Sequence, residues 1–234
     1  MTIFYDFNIA PKEEVIETLE KFNFKGACIF YNSQRYSDEK ENIEESFKQL
    51  NESTKLDLYH GIVINQNNPQ LLRKEVQRFY KKVDLIMANS GDDKINRIIC
   101  ETPQIDIINH PYLHKRNSGI NHVLSKLLVE NNISVNINLT DILQHRGYFK
   151  AKILNQLNQL MMLQGKYGFR TVLSSGSRSF YDVRSPKAML LLSQLTDMDM
   201  DYARKCISKH PEEIIENITI HKESIVQGVR IIKD

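Results

Sequence analysis

Residues 174–186, SSGSRSFYDVRSP, hold a dense set of side chains able to do chemistry. Ser174, Ser175, Ser177 and Ser179 lie within six residues, around Gly176 and beside Arg178, and Arg184 and Lys187 follow. A serine becomes a nucleophile only beside a base that is itself oriented, and no G-x-S-x-G elbow surrounds these four. A Ser/Gly/Arg loop that leaves a strand and opens onto a helix N-terminus is instead suited to holding an anion. Ser185 before Pro186 reads as an N-cap with proline at the first helical position, which explains part of the stretch without a ligand. More cations lie nearby in sequence: Arg146, Lys150, Lys152 and Arg170, with Lys115 and Arg116 in HKRNSG. Arginine forks and backbone amides match phosphate and carry little base information. Phe149, Tyr167, Phe180 and Tyr181 are interleaved among them; packing in the core or rim is the first expectation, and stacking on bases the second.

Metal chemistry finds little support. His110 and His114 are four apart, but Pro111 between them argues against a helix that would bring them together. His60, His122, His145, His210 and His221 are scattered, and H-x-H, H-E-x-x-H and C-x-x-C are all missing, so no metal site is expected. Cys28, Cys100 and Cys206 are odd in number and far apart, which predicts reduced thiols and a cytoplasmic setting. The N-terminus has no basic region followed by an apolar core, and no run approaches the ~20 apolar residues a membrane span needs. Charge is uneven: residues 1–60 carry seven Lys/Arg against twelve Asp/Glu, while residues 144–187 carry eight against Asp182 alone. Such a basic block attracts phosphate.

The elements that must position these residues are legible as short apolar runs. TIFYDF (2–7), GACIFY (26–31), LDLYHGIVI (56–64), VDLIMA (83–88), IDIIN (105–109), ISVNIN (133–138) and RTVLS (170–174) read as strands covered on both faces. Helical patterns fall between them. One starts at Pro11 with Val15, Leu19 and Phe22 on a stripe. A second carries Ile120, Val123, Leu124, Leu127 and Leu128. A third runs through Ile153, Leu157, Leu160 and Met161 to Gly165 or Gly168. Strand–helix alternation without a linker or a Gly-rich dinucleotide fingerprint predicts one α/β domain over 1–234, a TIM-barrel-like parallel β/α barrel. Function in such barrels gathers at the C-terminal edge. That edge holds Asp6, Asn8, Asn32, Arg35, Asn65, residues 89–93, residues 109–111, Asn138 and residues 174–178, rich in Asn and Ser and poor in proton-moving groups.

The ordered set FYDFNI (4–9), NSGDDKINRIICETPQIDIINHP (89–111), GINHVLSKLLVENNISVNINL (119–139), KYGFRTVLSSGSRSFYDVRSP (166–186) and HPEEII (210–215) resembles the ribonuclease P protein component 3 family across nearly the whole chain. The resemblance implies a barrel related to the PHP phosphoesterases, acting as a subunit of the ribonucleoprotein endonuclease that removes the 5′ leader from precursor tRNA. It implies that the ribonuclease P RNA carries Mg²⁺-dependent cleavage and that this chain binds no cofactor. It further implies pairing with a small ferredoxin-like subunit in a heterotetramer. The compact length is similar to archaeal members. PHP enzymes place H-x-H at the end of their first strand; Asp6-Phe7-Asn8 stands there instead. Matched positions are Asn96, Arg97, His110, Asn121, Ser174, Ser175, Asp182, Arg184 and Pro186. Arg97 either meets RNA or pairs with Glu101, and Asp182 with Arg184 forms a candidate internal ion pair. The candidate RNA- or phosphate-binding set is Arg97, Lys115, Arg116, Arg146, Ser174, Ser175, Arg178, Arg184 and Lys187, with no catalytic residue. The rival expectations are a stand-alone PHP-like metal phosphoesterase using the same edge, and a protein scaffold whose acidic N-terminal part faces a basic partner.

Overall fold

A computed structural model describes residues 2–113, 115–226 and 229–230. Seven parallel strands follow one another in chain order around a barrel. They are β1 (Tyr5–Ile9), β2 (Gly26–Asn32), β3 (Asp57–Ile64), β4 (Leu85–Asn89), β5 (Ile107–Asn109), β6 (Ser134–Asn138) and β7 (Thr171–Ser174). Each of the seven apolar runs carries one strand, because a strand between a packed barrel interior and a helical layer must be apolar on both faces.

The helices α1 (Glu13–Lys21), α2 (Ser33–Asp38), α3 (Lys40–Ser53), α4 (Pro69–Phe79), α5 (Asp93–Cys100), α6 (His122–Glu130), α7 (Leu139–Gln144), α8 (Gly147–Tyr167), α9 (Pro186–Ser193), α10 (Met200–Cys206) and α11 (Lys209–Glu223) complete the order, with a short antiparallel pair β8 (Ser224–Val226) and β9 (Val229–Arg230) after them. Asn32, Asn68, Asp92, Asn121, Ser185 and Asp199 each accept a backbone N–H at a helix start, which is what short polar side chains do best there. Three expected details differ. Pro11 precedes α1 rather than opening it, since Lys12 is the N-cap. Phe22 lies beyond the last turn and Val123 sits in the first turn of α6, and both face solvent. Ile16 takes the buried place on α1.

The barrel interior is layered. Tyr5, Phe7, Cys28, Leu85, Met87, Ile107 and Val172 point inward and pack with Ile214 and Ile218 of α11, which closes the end from which the strands start. The larger apolar cluster lies outside the strands, against the helices. At the opposite end the inward positions turn polar, and there the strands deliver their side chains to a shared mouth.

β1 and β7 adjoin without a regular ladder, and single hydrogen bonds stitch the seam. The Ser175 N–H donates to Asp6 Oδ1 at 2.9 Å and the Ala10 N–H to the Ser177 carbonyl at 2.8 Å. A bulge between Phe7 and Ile9 puts Asn8 at φ 105°, turning its side chain into the mouth while Ile9 packs outward.

Candidate functional site

The mouth at the C-terminal edge is a cavity of about 530 Å³. Its walls carry Asn8, Asn32, Asn89, Asn109 and Asn138, one amide or more from most strands. Period-2 alternation explains this: Asn32, Asn89, Asn109 and Asn138 each end a strand on its inward register. The amides bond to one another. Asn8 Nδ2 donates to Asn138 Oδ1 (3.1 Å), Asn109 Nδ2 to Asn89 Oδ1 (2.8 Å) and Asn136 Nδ2 to Asn109 Oδ1 (2.9 Å). Phe30, Val63 and Met87 form an apolar floor. Phe30 fits because Gly61 lies beneath it; a Cβ there would sit 2.4 Å from the ring.

His110 and Asp141 also line the mouth. With its proton on Nδ1, the His110 ring donates to Asp141 Oδ2 at 2.7 Å and accepts from Asn138 Nδ2 at Nε2, 3.0 Å away. The Tyr112 hydroxyl donates to the same Asp141 oxygen at 2.7 Å and accepts from the Asn138 N–H at 3.1 Å. Burial, then the Asp141 charge, push the Tyr112 hydroxyl well up, so it stays a donor. Both ring nitrogens and Asp141 Oδ2 are thus committed, leaving no free lone pair on the histidine. Among the described residues, no group of three or more His, Cys, Asp or Glu side chains is placed to hold a metal ion. Neutral amides are poor ligands for the metal ions that His and carboxylate clusters hold. His114 and the His221 side chain lie outside the described residues.

The opening motif divides between interior and rim. Ser174 and Ser175 are 0% and 1% exposed. Ser174 Oγ donates to the Asn136 and Asn138 side chains, and Ser175 Oγ accepts from the Ser177 N–H at 3.1 Å. Both hydroxyls therefore serve the barrel itself and face no solvent. Gly176, at φ 66°, turns the chain so closely over Thr140 that a Cβ would lie 2.4 Å from its hydroxyl. Beyond it Arg178 is exposed and lines the mouth.

Asp182 and Arg184 do not form the expected ion pair. Asp182 Oδ2 accepts from the Ser179 hydroxyl (2.9 Å) and the Arg178 and Ser179 amides (3.2 and 3.1 Å), while Arg184 Nη1 donates to the Tyr181 and Val183 carbonyls (2.6 and 2.9 Å). Burial alone would raise the Asp182 carboxyl; these donors, with Arg184 nearby, overcome it and hold the group below its ordinary value. The two charges shape the loop by separate bonds to its backbone.

Lys115, Arg116 and Arg146 lie on the connections that follow β5 and β6, at the same end as Arg178. The Lys115 ammonium bonds the Gly91 carbonyl. Arg97 stands apart on α5, paired with Glu101 at 2.7 Å, and lines a shallower cavity with Lys94 and Asn121. Lys187 belongs to a third feature, a groove of about 1350 Å³ shared with Phe22, Leu191, Lys21, Lys25 and Arg204. The candidate set is therefore not one patch. The aromatics correct the first expectation: Phe149 is 65% exposed and Tyr181 75%, with Phe180 stacked against Tyr181 at 3.9 Å between centroids. Tyr148, absent from the sequence reading, is 76% exposed and meets Phe149 edge to face. Only Tyr167 packs against the core.

Comparison with known proteins points one way. Residues 3–223 match the family described as RNase P subunit p30. Ribonuclease P protein component 3 of Methanothermobacter thermautotrophicus is 30% identical over 236 residues, covering 99% of this chain and 96% of that protein. Its counterpart in Methanococcus maripaludis is 29% identical, with 98% of each chain covered. A chain in a cryo-EM structure of archaeal ribonuclease P with mature tRNA superposes with a TM-score of 0.82 at 28% identity, over 98% of both chains. A Xaa-Pro dipeptidase superposes at 0.62 with 8% identity, over 93% of this chain and 76% of that one, a likeness of barrel alone. With a match that runs along nearly its whole length, the chain belongs to the RNase P subunit p30 family, and its role is that of a protein subunit of that ribonucleoprotein.

Proposed function

We propose that this subunit supports the catalytic RNA and precursor tRNA through exposed cations on its rim and on the edge of the groove that holds Lys187, leaving Mg²⁺-dependent cleavage to the RNA and binding no cofactor itself. One observation carries the reading. Among the described residues, no carboxylate lies within ion-pair distance of Arg116, Arg146, Arg178 or Lys187, although all four are exposed. Un-neutralised arginines beside exposed aromatic pairs suit phosphate contact with stacking next to it. Arg97, Lys115 and Arg184 are secondary members, since each side chain already bonds protein. Ser174 and Ser175 contribute by holding the loop.

Salt titration of binding tests this. Each phosphate contact removed flattens the slope of log affinity against log salt by about one unit. Arg146→Ala, Arg178→Ala and Lys187→Ala, measured on ribonuclease P RNA with the assembled protein set, should each lower the slope by about that amount. An unchanged slope in all three removes these surfaces from the RNA interface.

The family resemblance supplies two further proposals, a small ferredoxin-like subunit as protein partner and a heterotetramer of the two, and the free Cys28, Cys100 and Cys206 support a third, a cytoplasmic setting. The groove around Phe22 and Leu191 is a surface of the kind a protein partner covers, with exposed apolar side chains ringed by lysines. Native mass measurement of the co-purified subunits, with and without Leu191→Glu, checks both the stoichiometry and the groove; an unaltered assembly rules the groove out.

A further inference from the structure

We propose that the barrel mouth is a pocket for one unpaired nucleotide of an RNA chain, its base edge among the asparagines and its phosphate against Ser177 and Arg178. The inference rests on the reading of this subunit as an RNA-contacting one, and deepens it from surface to site.

Space and chemistry both fit. About 530 Å³ is the size of a small-molecule pocket and accommodates a mononucleotide. A mouth that merely finished the barrel would be filled by apolar side chains in further layers. Here the layers stop at Phe30, Val63 and Met87, which leaves a flat apolar floor beneath a polar cup.

The cup keeps unused hydrogen-bonding capacity. Asn89 accepts from Asn109 through Oδ1, and its Nδ2 has no protein partner among the described residues. Among the described residues, Asn8 donates through Nδ2 and has no partner at Oδ1, and Asn32 spends Oδ1 on capping α2 and has none at Nδ2. Carboxamides of this kind, a donor beside an acceptor, match the edges of nucleobases, and RNA-binding proteins read unstacked bases along those edges.

The second observation is independent of the amides. Ser177 is 2% exposed and lines the cavity, yet its Oγ has no hydrogen-bond partner. A buried hydroxyl left unpaired costs stability, so an acceptor arriving from outside would satisfy it. Arg178 follows directly, exposed and with no carboxylate within ion-pair distance among the described residues, while Arg35 of α2, which also lines the cavity, is paired with Glu39 at 3.1 Å. The cavity carboxylate, Asp141, takes both Tyr112 and His110 on Oδ2. An anionic oxygen at Ser177 and Arg178 with a base reaching toward Asn89 uses the unpaired hydroxyl, the exposed guanidinium and a spare amide together.

The test uses the purified full chain, with nucleoside monophosphates, inorganic phosphate and a short single-stranded RNA as probes, followed by calorimetry or amide shifts. Expected is saturable binding of a monophosphate, displaced by the single-stranded RNA, with inorganic phosphate weaker. Ser177→Ala should weaken binding about tenfold, the worth of one hydrogen bond to a charged group, without lowering the melting temperature, because it removes an unpaired hydroxyl. Val63→Trp should fill the floor and abolish binding. Absence of saturable binding by any probe, or binding that Val63→Trp leaves intact, overturns the proposal. Binding of monophosphates with the single-stranded RNA excluded overturns the RNA assignment. Failure here leaves the salt slopes of Arg146→Ala and Lys187→Ala unaffected, so the pocket and the rim are judged separately.

Discussion

Asp6, on β1, spends its carboxylate on the barrel seam. It is fully buried, accepts the Ser175 N–H through Oδ1 and leaves Oδ2 without a partner. Burial outweighs the Ser175 hydrogen bonds and raises its pKa to about 6. A carboxyl raised in the folded state binds its proton more tightly there than in the unfolded chain. Its contribution is therefore full below pH ~4 and is lost as pH rises through about 6. Asp6→Asn keeps an acceptor for Ser175 and removes the charge. We expect stability near pH 7 to rise by about 1–3 kcal/mol and the decline between pH ~4 and ~6 to flatten, both measurable by denaturant unfolding across pH. An unaltered pH profile would place the charge elsewhere. Some side-chain roles were legible beforehand: Ser185 caps α9, and Arg97 reaches Glu101 four residues on. The burial of Ser174 and Ser175 was not, because it depends on β6 amides lying beside Ser174 and on Asp6 of β1 lying beside Ser175, and sequence spacing carries no such information.

Strands were the most legible elements, since a barrel buries both faces and writes each strand as an apolar run. Helices α2 and α3 were harder. Over Ser33–Ser53 only Ser33, Tyr36 and Ile43 are buried, so the apolar stripe that reveals a helix is nearly missing. The exposure of Phe149 and Tyr181 was hidden for the opposite reason: aromatic residues ordinarily pack, and nothing local marks one that does not. The loop after β7 is held by Gly176. Gly176→Ala imposes a left-handed φ of 66° on a residue with a Cβ and drives that Cβ to 2.4 Å from Thr140 Oγ1. A loss of about 2 kcal/mol is expected in chemical denaturation, with weaker RNA binding because Arg178 is displaced. A loss below ~0.5 kcal/mol would mean that the loop relaxes freely.

The barrel as a whole lines its mouth with neutral amides. Its stability should then be independent of metal: chelator is expected to leave the melting temperature unchanged, and Zn²⁺ or Mn²⁺ to add nothing. A rise with stoichiometric metal and phosphoester turnover would restore the phosphoesterase reading. The α/β barrel was legible because strand–helix alternation has few other outcomes. The distribution of cations over three separate cavities was not, because charge counts along a chain ignore which end of a helix faces which loop. The stitched seam has a temporal consequence. Asp6 meets Ser175 across 169 positions, so a nascent polypeptide emerging from the ribosome holds β1 unpaired on one side until β7 and Ser175 have been synthesised, and the seam is a late contact of high sequence separation.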